Sequence, residues 1–481
     1  MRSINRGLIF ALAVALASLS SIDAKAPQKI QRFVPNYIVL EDITLSAPNG
    51  NPRDSLQKGT LVSAREMGDV LDVRAKDGKF GFAEKRFFSR LGNTIEITNA
   101  ATQIGESSNR FAFALYHQVR RQNGNLFLSP ASLSTALAMT YGGAKGMTRQ
   151  EMSSVLHFHP EQDPHDGFAT LLQILNSTGS RGGYSLATAN RLWGAEGYQF
   201  DASFLRLTED KYRAELESLD FRNPERARRT INNWVEKQTR KKIVDLISAG
   251  VLQENTRLVL TNAIYFEGGW ASEFSKQATQ KATFHLTAEE TIDVLTMEQQ
   301  KNFPYTEDAD AQVLALPYRG NELSMVVVLP KKNEGLATVE SNLTNDRYEG
   351  WMKDLGRARP IITYLPKFKL RSQFRLSGAL KSMGMKTAFS HAADFSAMSK
   401  NERLSISAVI HQAFVEVDEV GTEAAAATAI GVAPTASIIE DQEPPEPITF
   451  RADHPFLFMI RDNRTSAILF MGRMQHPVDS L

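Results

Sequence analysis

The chain has 481 residues, with 55 basic against 54 acidic side chains and a formal net charge of +1, so its overall field favours neither a nucleic acid nor an anionic membrane surface as partner. With 42% hydrophobic and 23% charged residues it has the balance of a globular protein able to bury a large core, which excludes disordered and collagen-like classes. It contains no cysteine, and that excludes a disulfide framework, thiol catalysis, a lipidated cysteine anchor and thiolate zinc sites.

The chain opens on a pattern of export. Arg2 and Arg6 precede the apolar stretch Leu8 to Leu19, and small residues follow up to Ala24. That stretch is shorter than the roughly 20 residues a spanning helix needs. Residues 1–24 are therefore expected to be a signal peptide and the mature protein to be secreted, extracellular or periplasmic, without a membrane span.

Residues 32–91 are short alternating runs broken by turn residues. Tyr37–Leu40, Thr60–Ala64, Val70–Ala75 and Phe80–Ala83 read as strands, with turns at Pro48-Asn49-Gly50-Asn51-Pro52 and Lys76-Asp77-Gly78-Lys79. The block Leu56 to Ser89, with Lys58-Gly59 and Gly78-Lys79-Phe80-Gly81-Phe82, resembles a bacterial SH3-like domain. The resemblance implies a small all-β barrel that either binds a cell-wall or protein ligand or acts as a spacer.

From about Ala101 the texture is mixed α and β. Phe111, Ala112, Leu115 and Val119 recur at helical spacing, as do Leu133 and Leu137, and Ile231, Trp234 and Val235. Leu258–Leu260, Met325–Leu329 and Ala467–Phe470 are apolar runs of strand length. The basic runs Arg226–Arg229 and Arg240–Lys242 are interleaved with apolar residues at helical spacing and read as a solvated helix face, with a heparin-like polyanion site as the alternative.

Four blocks in residues 101–478 then stand out: NLFLSPASLSTALAMTYGGAKGMTRQEM (Asn125 to Met152), LVLTNAIYFEGGWASEF (Leu258 to Phe274), YLPKFKLRSQFRLSGALKSMGM (Tyr364 to Met385), and the stretch from Ser405 to Pro477. Together, in this order, they resemble the serpin family. The resemblance implies an α+β fold, helices around a large central β-sheet with an exposed reactive loop, and a suicide-substrate inhibitor of a protease rather than an enzyme. No cofactor or metal is implied, and a monomer is expected.

Glu419, Gly421, Thr422, Glu423, Ala424, Ala425, Ala426, Ala427 and Thr428 match the family's hinge. Four alanines in a row favour helix by propensity, but Gly421 interrupts any continuous element after the alternating Ala413–Asp418. A segment that must slide between two strands needs small residues at its inward positions, Thr422, Ala424, Ala426 and Thr428, because overpacking there costs roughly 1–3 kcal/mol per site. Glu423 then faces outward by the period of two. Ser129, Ser132, Asn262 and His411 match the polar group beneath the central strands that controls sheet opening, and Trp270 with Glu419 matches the upper end where the loop comes in. Val420 departs from the family's pattern, which commonly has an acidic residue there.

Counting fifteen residues from Gly421, as the family's inhibitory members do, puts the scissile bond between Thr435 and Ala436, with Ala433, Ala436, Ser437 and Ile438 as alternatives. No Lys or Arg occurs from Leu404 to Phe450, so a trypsin-like pocket with a buried carboxylate would go unmatched. Val432, Ala433, Thr435 and Ala436 suit the shallow pocket of an elastase-like serine protease; a cysteine protease is the second class considered. The acidic strip Glu440, Asp441, Glu443 and Glu446 reads as an extended solubilising spacer, with contact to a basic protease surface as the alternative. The alternative function is a non-inhibitory binding or chaperone protein of the same fold.

Overall fold

The computed structural model describes parts of residues 37–90, and residues 99–478 apart from 160–162, 180–183, 357, 401–402 and 423–445. The expected signal peptide lies outside the described residues. Contacts divide the chain into two units, Met1–Glu96 and Ile97–Leu481.

The first unit is a sheet of seven strands: β1 (Tyr37–Val39), β2 (Ile43–Ser46), β3 (Pro52–Leu56), β4 (Leu61–Met67), β5 (Val70–Ala75), β6 (Phe80–Glu84) and β7 (Phe88–Arg90), in the order β3-β2-β6-β5-β4-β1-β7. Leu45, Leu56, Val62 and Val73 are buried. The four strands read from alternation correspond to β1, β4, β5 and β6. The other three are β2, β3 and β7, short segments of which two carry a single turn-prone or polar run, so periodicity had little to act on.

The second unit contains, in chain order, α1 (Asn99–Val119), β8 (Leu126–Leu128), α2 (Pro130–Tyr141), α3 (Gly146–Val155), α4 (Pro164–Gly179), β9 (Tyr184–Ala195), α5 (Ala202–Tyr212), β10 (Leu216–Leu219), α6 (Pro224–Gln238), β11 (Leu258–Gly269), β12 (Gln280–His285), β13 (Thr291–Phe303), β14 (Tyr305–Glu307), β15 (Ala311–Pro317) and β16 (Leu323–Pro330). It continues with α7 (Leu336–Ser341), α8 (Asn345–Asp354), β17 (Arg359–Pro366), β18 (Phe368–Arg375), α9 (Ser377–Met383), β19 (Ile406–Val417), β20 (Gly421–Thr422), β21 (Ile448–Arg451), β22 (Phe456–Asp462) and β23 (Ile468–Met474).

Among the described residues these strands form three sheets. The central one has the order β10-β9-β11-β20-β19-β18, the second β14-β15-β16-β22-β23-β8, and the third β12-β13-β17-β21. Helix α2 lies between the first two, touching β9, β11 and β23. All twelve of its residues are buried, and its polar members are small hydroxyls, two of which, Thr135 and Thr140, donate to the helix's own carbonyls. Ser129 starts it, its hydroxyl accepting from the Ser132 amide, and Pro130 sits in the first turn, where its missing N–H costs nothing.

A second, smaller core covers the opposite face of the central sheet. There Ile231 and Val235 of α6, with Ile243, Leu246 and Ile247 beyond it, pack with Val259, Tyr265, Ile410 and Phe414. This corrects the reading of the basic run Arg240–Lys242 as a helix face. The helix stops at Gln238, and Arg240 and Lys241 adopt left-handed φ values of 50° and 65°. Strand β19 is buried on both faces over most of its length, so only its last residues keep the apolar–acidic alternation. Among the described residues no helix is long and apolar enough to cross a membrane.

Candidate functional site

Strands β11 and β19 run parallel, paired from Leu258↔Ile406 to Tyr265↔Phe414. At the upper end of this seam they part, and the two-residue strand β20 enters between them. Gly268 pairs with Thr422 and Gly269 with Gly421 on one side, and Val417 with Thr422 on the other, both antiparallel.

A tight turn delivers β20. The Asp418 carboxylate accepts from the amides of Val420 at 2.9 Å and Gly421 at 3.1 Å, and the Asp418 amide donates to the Gly421 carbonyl at 2.9 Å. A Cβ at position 421 would collide with the Gly268 carbonyl oxygen and lie 2.7 Å from the Gly269 Cα, so the close approach of the two backbones requires glycine. Thr422 is fully buried, and its hydroxyl meets the Tyr318 hydroxyl at 2.7 Å. Tyr318 in turn stacks on Trp270, with centroids 4.7 Å apart and planes 14° from parallel.

Trp270 holds the turn from beside it. Its amide donates to the Val420 carbonyl and its indole N–H to the Asp418 carbonyl, each at 2.9 Å. The Glu419 carboxylate accepts from Lys367 Nζ at 2.8 and 3.0 Å and from the Thr279 hydroxyl at 2.8 Å. Burial opposes ionisation of Glu419, but these donors outweigh it and hold the carboxyl below its ordinary range. Val420, where the sequence departs from the family pattern, is buried at 8% exposure, which an apolar side chain tolerates and an unpaired acid does not.

Beneath the seam lies a buried polar cluster. Asn262 and His411 are register partners on β11 and β19, and His411 Nδ1 lies 2.5 Å from Asn262 Oδ1. The Ser129 amide donates to His411 Nε2 at 3.0 Å. Nε2 therefore carries a lone pair, and the proton sits on Nδ1, donated to Asn262. Burial pushes the imidazole pKa down to about 3, the Asn262 bond pulling only weakly the other way. Asn262 Nδ2 donates to Ser132 Oγ at 2.7 Å and to Asn190 Oδ1 at 2.6 Å. The Ser129 hydroxyl donates to the Leu469 carbonyl at 2.6 Å, 340 residues away. One cluster thus joins both central strands, β9, the start of α2 and β23.

Trp270, Glu419, Gly421 and Thr422 come together at the top of the seam, and Ser129, Ser132, Asn262 and His411 beneath it. Glu423, Ala424, Ala425, Ala426, Ala427, Thr428, Thr435 and Ala436 lie outside the described residues. Sequence reading missed Tyr318, Lys367 and Thr279 at the top and Asn190 below. Lys367 stood inside a recognised block, and Asn190 was a lone amide in a strand, but Tyr318 carried no local signal.

A family model described as Serpin (serine protease inhibitor) matches residues 106–477. The chain belongs to the serpin family. This serpin is 42% identical over 385 residues to the leukocyte elastase inhibitor of Sus scrofa, covering 78% of its own length and all of that relative. It is 43% identical over 374 residues to an uncharacterized serpin-like protein of Thermococcus kodakarensis, covering 77% of this chain and 85% of the relative. Among solved structures, uncleaved ovalbumin superposes with a TM-score of 0.70 at 32% identity, over 78% of this serpin and all of that chain. Human thyroxine-binding globulin complexed with thyroxine gives 0.71 at 28%, over 79% of this chain and all of that one. The serpin fold expected from the sequence is what the second unit adopts.

Proposed function

We propose that this serpin is a secreted suicide-substrate inhibitor of a serine protease, elastase-like by preference. The protease serine attacks the Thr435 carbonyl, the Ala436 amine leaves, and the arm that remains attached at Thr422 inserts between β11 and β19 with the acylated protease on its end. The observation that carries this reading is the parallel β11–β19 seam with antiparallel β20 seated in its mouth.

A parallel pair is slightly less stable per residue than an antiparallel one. An arm running antiparallel to both neighbours replaces one parallel interface with two antiparallel ones. Fifteen inserted residues span about 50 Å at ~3.3 Å each, enough to drag a protease the length of the sheet and pull apart catalytic groups whose small displacement costs large rate factors. The uncharged, small residues around Thr435 support an elastase-like target, and so does the likeness to leukocyte elastase inhibitors. Hinge, sheet-opening and reactive-bond roles for the residues named above belong to the same proposal.

Incubation with elastase-like, trypsin-like, chymotrypsin-like, subtilisin-like and papain-like proteases tests it. An SDS-stable band at the summed mass with the elastase-like enzyme, and a released peptide beginning at Ala436, are expected. Cleavage by every protease with no stable band overturns inhibition, and a peptide beginning beyond Glu440 overturns the bond assignment. Export with cleavage after Ala24 is tested by N-terminal sequencing of secreted protein. The SH3-like reading of the first unit rests on the Leu56 to Ser89 resemblance, and its cell-wall or protein ligand, against a spacer role, is tested by pull-down on peptidoglycan. A single sedimenting species at the mass of one chain is expected.

A further inference from the structure

Beyond α6, residues 239–247 form a strap across the outer face of the central sheet. Arg240 bonds Glu267 on β11 and Ser185 on β9, each at 3.3 Å. On β18, Arg371 donates to the Lys242 carbonyl at 3.5 Å and Gln373 donates to the Leu246 carbonyl. Between these fastenings, Lys242 Nζ lies 5.8 Å from the ring centroids of both Tyr265 on β11 and Phe414 on β19.

Those two rings are register partners across the seam, 6.2 Å apart. They sit three positions below Gly268, where β20 ends the opening. The strap is held down by Asn232, which exchanges bonds of 2.8 and 3.0 Å with the Ile247 backbone, and by fully buried Ile243, Leu246 and Ile247. Three of its non-glycine residues, Arg240, Lys241 and Asp245, have φ of 50°, 65° and 50°. Such conformations persist only where the surroundings impose them.

The geometry points to Lys242 as a gate on the seam, its ammonium spanning the Tyr265 and Phe414 rings and setting how fast an arm passes between β11 and β19. The inference rests on the insertion reading above. Neighbouring strands lie about 4.8 Å apart, so an inserted strand moves β11 and β19 to roughly twice that separation. A cation interacts with a ring only within about 6 Å of its centroid. With the centroids drawn from 6.2 Å to about 11 Å apart, one ammonium that lies 5.8 Å from both rings in the closed sheet keeps both only if it moves onto the line between them, and from its closed position it loses at least one. The contact favours the closed state over the opened one, and it lies across the uppermost β11–β19 register pair, the first an advancing arm must part.

The test uses a synthetic peptide with the sequence from Thr422 to Val432, annealed into the intact full-length protein and followed by the rise in melting temperature. Lys242→Ala is expected to anneal about three- to tenfold faster than wild type, the factor a contact of this kind carries, and Lys242→Arg to stay within about twofold of wild type. The intact Lys242→Ala protein should keep the wild-type far-UV spectrum. With the trapped protease, Lys242→Ala should consume fewer inhibitor molecules per complex. Annealing of Lys242→Ala at or below the wild-type rate overturns the gate. If wild type traps no protease while Lys242→Ala still anneals faster, the inhibitor reading fails and the gate stands. If wild type traps protease while Lys242→Ala changes neither rate nor stoichiometry, the gate fails and the inhibitor reading stands.

Discussion

His411 shows how one side chain ties the sheet to pH. Its neutral form is fixed by the Ser129 amide on Nε2, and burial lowers its pKa to about 3 from an ordinary 6.5. Between those values the unfolded chain binds a proton that the folded protein does not. The stability this group contributes is therefore complete above about pH 6.5 and falls as the pH drops toward 3, with a slope of roughly 1.4 kcal/mol per unit. Urea unfolding of wild type and His411→Gln from pH 7.5 to 4.5 should show a shallower acid decline in the variant; parallel profiles would refute the assignment. Tyr318 makes a second residue-level case. Tyr318→Phe strands the buried Thr422 hydroxyl and should cost about 1 kcal/mol, read by denaturant unfolding. Emission from Trp270, which Tyr318 stacks on, should change in the same variant.

At the scale of elements, β20 depends on smallness at two successive positions for two different reasons. Gly421→Ala meets backbone on β11, so the hinge should leave the seam and the 418–422 turn become cleavable in limited proteolysis at protease levels that spare wild type. Thr422→Arg instead places a guanidinium where the side chain is fully buried beside Tyr318, and an unpaired buried charge costs several kcal/mol. The arm of that variant should still be cleaved, but it should turn over as substrate, and undiminished SDS-stable complex would contradict insertion at this position. The elements around the seam were legible to unequal degrees. Helix α2 and strands β11, β16 and β23 showed in apolar runs and spacing, because their burial is written locally. The polar cluster was reachable only through resemblance, since Ser129 finds its partners at His411 and Leu469, hundreds of residues away. Tyr318 and Asn190 acquire meaning only when the strands carrying them are brought together. Arg240–Lys242 misled because interleaved basic and apolar residues look alike on a helix face and on a strap pinned to a sheet.

For the whole molecule, the proposed insertion makes the parallel seam an arrangement short of the best-paired one. On that proposal, a single cut in the Val432–Ile438 region should free the arm to complete the central sheet and release the difference. The melting midpoint should rise after the cut, and an unchanged or lower midpoint would favour a non-inhibitory protein. The order of strands in the second sheet bears on something else, the birth of the molecule. Strand β8, made early, has β23 as its neighbour, and β16 has β22. Strands β22 and β23, made after both, therefore join β16 to a β8 that has waited since early in synthesis. Until β22 is made β16 presents an uncovered edge, and until β23 is made so does β8, edges of the kind that seed association between chains. Nascent chains of this protein should thus need a chaperone's shelter until β22 and β23 are made, and truncations before Phe456 should be recovered as aggregates rather than as a smaller folded protein.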